Sequence, residues 1–197
     1  MAKTKEEIRV DLIIKAREIL KEKGIDFLTA RKLSDYSGYS VGTIYNQFKS
    51  MDNLVMWENC LTLDELEGYL KTAEMTSDAY RNLNRLIDKF VDFVLDNKSL
   101  WFVLYNFHFK EVMDKYAVFY LRRILKIVQL LEGNLCKLFT KVSGNERKVS
   151  TEVLFITLFA LSSLLTKEKE FSRLEKRYVV KVMFNTYLAG LSMLSKK

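Results

Sequence analysis

Thr29-Ala-Arg-Lys-Leu-Ser-Asp-Tyr-Ser-Gly-Tyr-Ser-Val-Gly-Thr-Ile-Tyr-Asn-Gln-Phe-Lys-Ser-Met-Asp-Asn-Leu54 is the stretch on which the reading of this chain turns. Thr29 is a candidate N-cap for a short helix through about Tyr36, with Ala30, Leu33 and Ser34 on its inner side. Ser37-Gly38-Tyr39 reads as a tight turn, since glycine accepts the left-handed backbone such a turn needs. Ser40 can cap a second short helix. In it Val41, Ile44 and Phe48 follow helical spacing and define a buried side. Gly42, Thr43, Asn46 and Gln47 are left toward solvent, with Tyr45 at the boundary. Two helices this short cannot bury a core alone, so the rest of the chain must support them.

The arrangement suits a helix-turn-helix reading head. Small residues at the first turn of the second helix let a phosphate strand approach, and Thr and Tyr hydroxyls donate to phosphate oxygens. Asn46 and Gln47 carry amides of the kind that pair with adenine in a major groove. Asp35 is the only acidic residue between Thr29 and Ser50, against Arg31, Lys32 and Lys49. A plain helical hairpin with a solvated polar face has the same pattern, so periodicity alone leaves both readings open.

Upstream, Thr4 and Glu7 form a capping-box pattern that starts a helix near Lys5. Ile8, Leu12, Ile13, Ala16, Ile19 and Leu20 make its apolar face. Gly24 ends it, with Lys21 and Lys23 in the last turn, where cations suit the helix dipole. Ile25, Phe27 and Leu28 follow as core anchors.

Residues 5–54 resemble the N-terminal domain of the TetR family of bacterial transcriptional repressors. The string Ser37-Gly38-Tyr39-Ser40-Val41-Gly42-Thr43-Ile44-Tyr45-Asn46-Gln47-Phe48-Lys49-Ser50, then Leu54, carries the resemblance. It matches a Gly-hydrophobic-Ser turn, then Gly-Thr-hydrophobic-Tyr, two variable residues and Phe. The resemblance implies that Thr43, Tyr45 and Lys49 hold phosphates. It implies that Gly42 allows close approach, that Asn46 and Gln47 face the groove, and that Arg31 reaches DNA from the preceding helix. Two positions depart from the family. Met51 stands where a phosphate-contacting lysine is usual, and Ser34 stands where alanine is usual and needs a hydrogen-bond partner if buried.

Beyond Ser50 a fourth helix carries Leu54, Val55, Trp57, Leu61, Leu63, Leu66 and Leu70. Met75–Asp78 is a break, with Ser77 or Asp78 as the next cap. Leu83, Leu86, Ile87, Phe90, Val91 and Val94 stripe the fifth helix. A turn at 96–99 leads into a dense aromatic segment, Leu100–Phe109, which holds His108, the only histidine. His108 reads as a structural or surface residue. A long seventh helix runs from Met113 to Val142 and is ended by Ser143-Gly144-Asn145. The eighth, about Val149 to Thr166, is apolar on nearly every side, which implies burial against two neighbours. A Ser172/Glu175 capping box opens the last helix, Arg173 to Leu194.

The expected fold is all-α with about nine helices: a helix-turn-helix domain at 1–50, then a helical ligand-binding and dimerisation bundle at 51–197. The absence of proline supports this, since average usage would supply roughly ten in 197 residues. Net charge is +7. Residues 1–55 hold ten Lys/Arg and eight Asp/Glu, so charge alone does not mark the head as the anion-binding end. Cys60 and Cys136 have no metal-ligand spacing and suit a reducing compartment. The chain opens with Lys3, Lys5, Glu6 and Glu7, not with an apolar leader, and the Val153–Leu165 run is short for a bilayer. A cytoplasmic location without membrane association is expected. With one histidine, no Gly-rich phosphate loop and no recognisable triad, no enzymatic activity, metal or cofactor is expected.

The family resemblance further implies a homodimer through the last two helices, which the broad apolar character of 153–165 and 179–194 independently suits. It implies an effector pocket in the C-terminal bundle, for which Trp101, Phe102, Tyr105, Phe109, Tyr116 and Tyr120 are candidate lining. Ordinary core packing would place those aromatics equally well. Such a lining suits an apolar or aromatic effector that releases a repressor from its operator. A helical protein-interaction module that keeps the fold without reading DNA is the competing expectation.

Overall fold

The computed structural model describes residues 3–107 and 114–194, and among these residues the chain is built of nine α-helices without strands. They are α1 (Lys5–Lys23), α2 (Ala30–Ser37), α3 (Val41–Phe48), α4 (Met51–Lys71), α5 (Ala79–Asp96), α6 (Lys98–Tyr105), α7 (Asp114–Leu138), α8 (Gly144–Lys167) and α9 (Arg173–Leu194). A single 3-10 turn, Ile25–Phe27, links α1 to α2.

Local chemistry sets the helix ends. The Thr4 hydroxyl accepts from Glu7 N while the Glu7 carboxylate accepts from Thr4 N, closing the predicted capping box. Asp78, one of the two candidates, caps α5 by accepting from Arg81 N at 3.0 Å. Ser172 and Glu175 exchange the same pair of bonds at the start of α9.

Two expectations fail at the α7–α8 corner. The seventh helix ends at Leu138, not Val142, and the eighth begins at Gly144, not near Val149. The cause is Ser143. It is an N-cap, accepting from Glu146 N at 3.2 Å while Glu146 accepts from its backbone, so the apparent helix breaker starts a helix. The resulting 24-residue α8 is long and apolar enough to span a bilayer by length and composition. In the structure it packs against α5 and α9, with Thr151, Ser162 and Ser163 buried along it.

Two compact units emerge, 1–64 with 99–123, and 65–98 with 124–197; α4 and α7 each contribute residues to both. In the first unit, one core joins Leu12, Ala16, Ile19 and Leu20 of α1 to Leu33 of α2, Ile44 and Phe48 of α3 and Leu54 of α4. Leu100 and Val103 of α6 complete it. A buried ion pair ties α1 to α4: Arg17 Nη1 donates to Glu58 Oε1 at 2.7 Å and to Thr62 Oγ1 at 3.0 Å. The second unit packs α5, α8 and α9 around Phe90, Phe155, Leu158, Val180 and Phe184. Asp92 of α5 accepts from both Arg173 and Arg177 of α9, which fixes those two helices together.

Candidate nucleic-acid interface

The reading head is held by its own polar contacts as well as by its core. Thr29 caps α2, accepting from Lys32 N at 3.2 Å. Gly38 takes φ +75° at the turn, the left-handed conformation its sequence position anticipates. Ser34, the departure from alanine, finds its partner here: its hydroxyl donates to Tyr39 O at 2.7 Å. Tyr39 then anchors the turn to α1. Its hydroxyl donates to Asp11 Oδ2 at 3.0 Å, and Lys3 Nζ reaches the same carboxylate at 2.7 Å. Those hydrogen bonds, from Lys3 first and then Tyr39, hold the Asp11 carboxyl below the usual carboxylate range.

Ser40 caps α3 by accepting from Thr43 N at 3.1 Å, and its hydroxyl lies 2.9 Å from Thr43 Oγ1. Ile44 and Phe48 are buried, so α3 cannot roll. Val41, expected on the inner side, is exposed: it occupies the first turn, where the chain is still entering the helix. Gly42, Tyr45 and Asn46 are exposed, and Thr43 is half-buried. A Cβ at Gly42 would meet nothing closer than Ser40 Oγ at 3.7 Å, an ordinary contact. The fold therefore does not require glycine there, although glycine costs a helix about 0.5–1 kcal/mol relative to alanine.

Gln47 sits differently from its neighbours. It is half-buried, and its Nε2 donates to Lys5 O at 3.1 Å, back toward the start of α1. One helical step separates the exposed Asn46 from a Gln47 turned to the rim of the core. That step is about 100°, so hydropathy alone does not resolve it.

Lys49 is the C-cap of α3 at φ 70°, and it is the one non-glycine residue with positive φ among those described. Such a backbone costs a non-glycine residue roughly 1–2 kcal/mol. The surroundings hold it there. Lys49 N donates to Tyr45 O at 2.9 Å, and the buried Asn53 amide donates to Phe48 O at 2.8 Å. Lys49 is exposed, as is Arg31, which makes no ion pair with Asp35. Met51 turns inward and packs against the head's core.

Residues 12–56 match the sequence profile of the bacterial regulatory proteins of the tetR family. The match covers this N-terminal domain. Solved TetR structures share its architecture over nearly the whole length. A TetR-family transcriptional regulator from Streptomyces coelicolor aligns at TM-score 0.73 with 14% identity, over 98% of this chain and 85% of its own. RolR, solved in complex with resorcinol, aligns at 0.67 with 18% identity, over 96% and 88%. BioQ, solved with its double-stranded DNA operator, aligns at 0.65 with 18% identity, over 93% and 96%. At these identities the likeness is one of fold. No curated protein matches the chain.

The aromatic residues expected to line an effector pocket separate into three groups. Trp101 and Tyr120 are buried, whereas Phe102 and Tyr105 are exposed. Phe109 and His108 lie outside the described residues, as does the side chain of Tyr116. Burial pushes the Tyr120 phenol well above its ordinary value. Sequence reasoning missed Asn59 of α4. It is fully buried, and neither its amide nitrogen nor its amide oxygen has a hydrogen-bond partner. Its only sequence signal is an amide inside an otherwise apolar helical stripe.

Proposed function

We propose that the protein is a dimeric transcriptional regulator that reads double-stranded DNA through α3 and is released from its operator by a small apolar or aromatic effector. The observation that carries the reading is the surface of α3. Ile44 and Phe48 fix the helix, and Gly42, Tyr45 and Asn46 stand clear beside Lys49 and Arg31. A glycine that the fold does not need at the start of α3, and a strained lysine at its end, suit a surface selected for an outside partner. In this reading Tyr45, Thr43 and Lys49 hold phosphates and Asn46 reads a base edge. Gln47 reads DNA only by giving up its bond to Lys5. Residues 1–50 form the reading domain and 51–197 the regulatory one. The DNA-bound BioQ structure supports such a use of this fold.

Dimerisation is supported by the outer faces of α8 and α9. Val149, Val153, Ile156 and Leu164 recur at helical spacing along α8, and Leu174, Tyr178, Val182 and Met193 along α9. Ile156 is 64% exposed, Leu174 74% and Tyr178 69%, values that isolated helices of a monomer rarely sustain in a row. Two copies meeting there would bury both stripes and space two heads for successive major grooves, about 34 Å apart.

For the effector, Trp101 and Tyr120 supply buried aromatic surface. The unsatisfied Asn59 amide offers one polar anchor, a buried group whose lack of a partner costs about 1–3 kcal/mol. The resorcinol complex of RolR is a precedent for a small aromatic ligand on this fold. The effector would act by favouring a head spacing that no longer matches the operator, with α4 as the lever. Operator titration with and without a candidate effector tests the scheme. Equal effector affinity for free and DNA-bound protein would refute it.

A further inference from the structure

A cavity lies on the reading-head unit, between α1, α4 and α7. Its volume is about 260 Å³, below the ~300–1,000 Å³ typical of drug-sized pockets, so its ligand is small. Trp101, Phe102, Tyr105 and Tyr120 do not line it.

Its walls are apolar: Val10, Ile13 and Ile14 from α1, Trp57 and Leu61 from α4. The Trp57 ring is braced by Phe119, stacked at 6.2 Å and 28°. Cys60 lines it too, its thiol pushed up to about 11 chiefly by burial, and so is uncharged at neutral pH.

Four charged side chains rim the cavity, and they are not equivalent. Asp64 is committed: both its oxygens accept from Arg123 Nε at 2.9 Å. Arg9 is not. Its guanidinium carbon sits 5.8 Å from the Trp57 ring centroid, and its Nε is buried without any hydrogen-bond partner. Among the described residues its one carboxylate contact is Nη1 to Glu6 Oε2 at 3.2 Å, and the Glu6 side chain is 71% exposed. An exposed pair of this kind contributes about 0–1 kcal/mol, so a ligand carboxylate can replace Glu6 at little cost. A carboxylate offers two acceptors to a guanidinium edge that has an unused donor.

We propose that this groove binds a small aromatic carboxylic acid, with the ring against Trp57, Val10 and Ile14 and the carboxylate on Arg9. The assignment does not depend on DNA binding.

Calorimetric titration of the full chain with 1-naphthoate, and with neutral 1-naphthylmethanol, tests the assignment. Saturable binding of one naphthoate per chain is expected, at least about tenfold tighter than the alcohol. Arg9→Gln should erase that preference and leave the alcohol within about threefold of its wild-type affinity. Ile14→Trp, at an exposed position that tolerates bulk without disturbing the core, should weaken both ligands about tenfold or more. Val10→Trp, also exposed, repeats the block if Ile14→Trp lowers the melting temperature. Absence of saturable binding would overturn the proposal. So would an undiminished affinity in the tryptophan variants, or an unchanged acid preference in Arg9→Gln.

Discussion

In the proposed role, Gly42 and Lys49 trade stability against contact with DNA. Gly42 has room for a methyl group. Gly42→Ala should therefore raise stability by up to about 1 kcal/mol in denaturant unfolding and weaken operator binding, because the added carbon meets the phosphate strand. Lys49→Gly removes the strain at φ 70° and the charge together. It should stabilise the fold by about 1 kcal/mol and lower the salt slope of DNA binding by about 1. A fold-only role for either residue predicts a stability change with no change in DNA affinity. The exposure of Gly42 and Asn46 was legible from the helical spacing of Ile44 and Phe48. The fate of Gln47 was not, because the carbonyl it binds is 42 residues away in sequence. Nor was the inward turn of Met51, since a methionine at a helix start packs or projects depending on neighbours that the local sequence does not reveal.

Among the elements, capping chemistry carried the information. Thr4, Thr29, Ser40 and Ser172 are legible as helix starts, as is Asp78 with Ser77 as its alternative, and each of the five accepts a backbone N–H in the structure, Asp78 in place of Ser77. Ser143 was read as a stop because Gly144 and Asn145 follow it. The Ser143/Glu146 pair, the same motif, outweighs the glycine. The Arg17–Glu58 pair was also hidden. Each residue looks like a surface charge on its own helix, and only the packing of α1 on α4 buries both. Breaking one side strands a buried charge, so Arg17→Ala should cost about 3–5 kcal/mol in urea unfolding. Replacing both partners with Met and Leu should cost far less. An equally large loss in the double variant would show that the contact acts through shape, not charge.

For the molecule as a whole, folding carboxylates should make stability fall in acid. Lys71 first, then Lys126, holds Glu67 below its ordinary 4.5, and Arg173 holds Asp96 below its ordinary 3.8. Asp11 is lowered in the same direction by Lys3. A lowered folded value means that the unfolded chain binds more protons. The stability these groups add is thus present above about pH 4.5 and lost as pH falls through their folded values. Melting temperature should be level from pH 7 to about 5 and drop below pH 4, less steeply in Asp96→Asn. The all-helical plan was readable because helical spacing and missing proline agree along the whole chain. The proposed dimer face was readable in the sequence only as excess apolar surface; Ile156, Leu174 and Tyr178 are exposed on it. Tyr178→Asp with Leu174→Asp should give a monomer by light scattering and weaken DNA binding at least about tenfold, since one head then binds alone.

In the proposed function, α3 reads DNA. Fluorescence anisotropy of labelled duplexes tiling the gene's own upstream region, titrated with wild type, Tyr45→Phe and Asn46→Ala, tests it most directly. The predicted result is one preferred duplex saturated by two chains, weakened across all sequences by Tyr45→Phe and changed in base preference by Asn46→Ala. Equal, salt-driven binding to every duplex, indifferent to both substitutions, would contradict it.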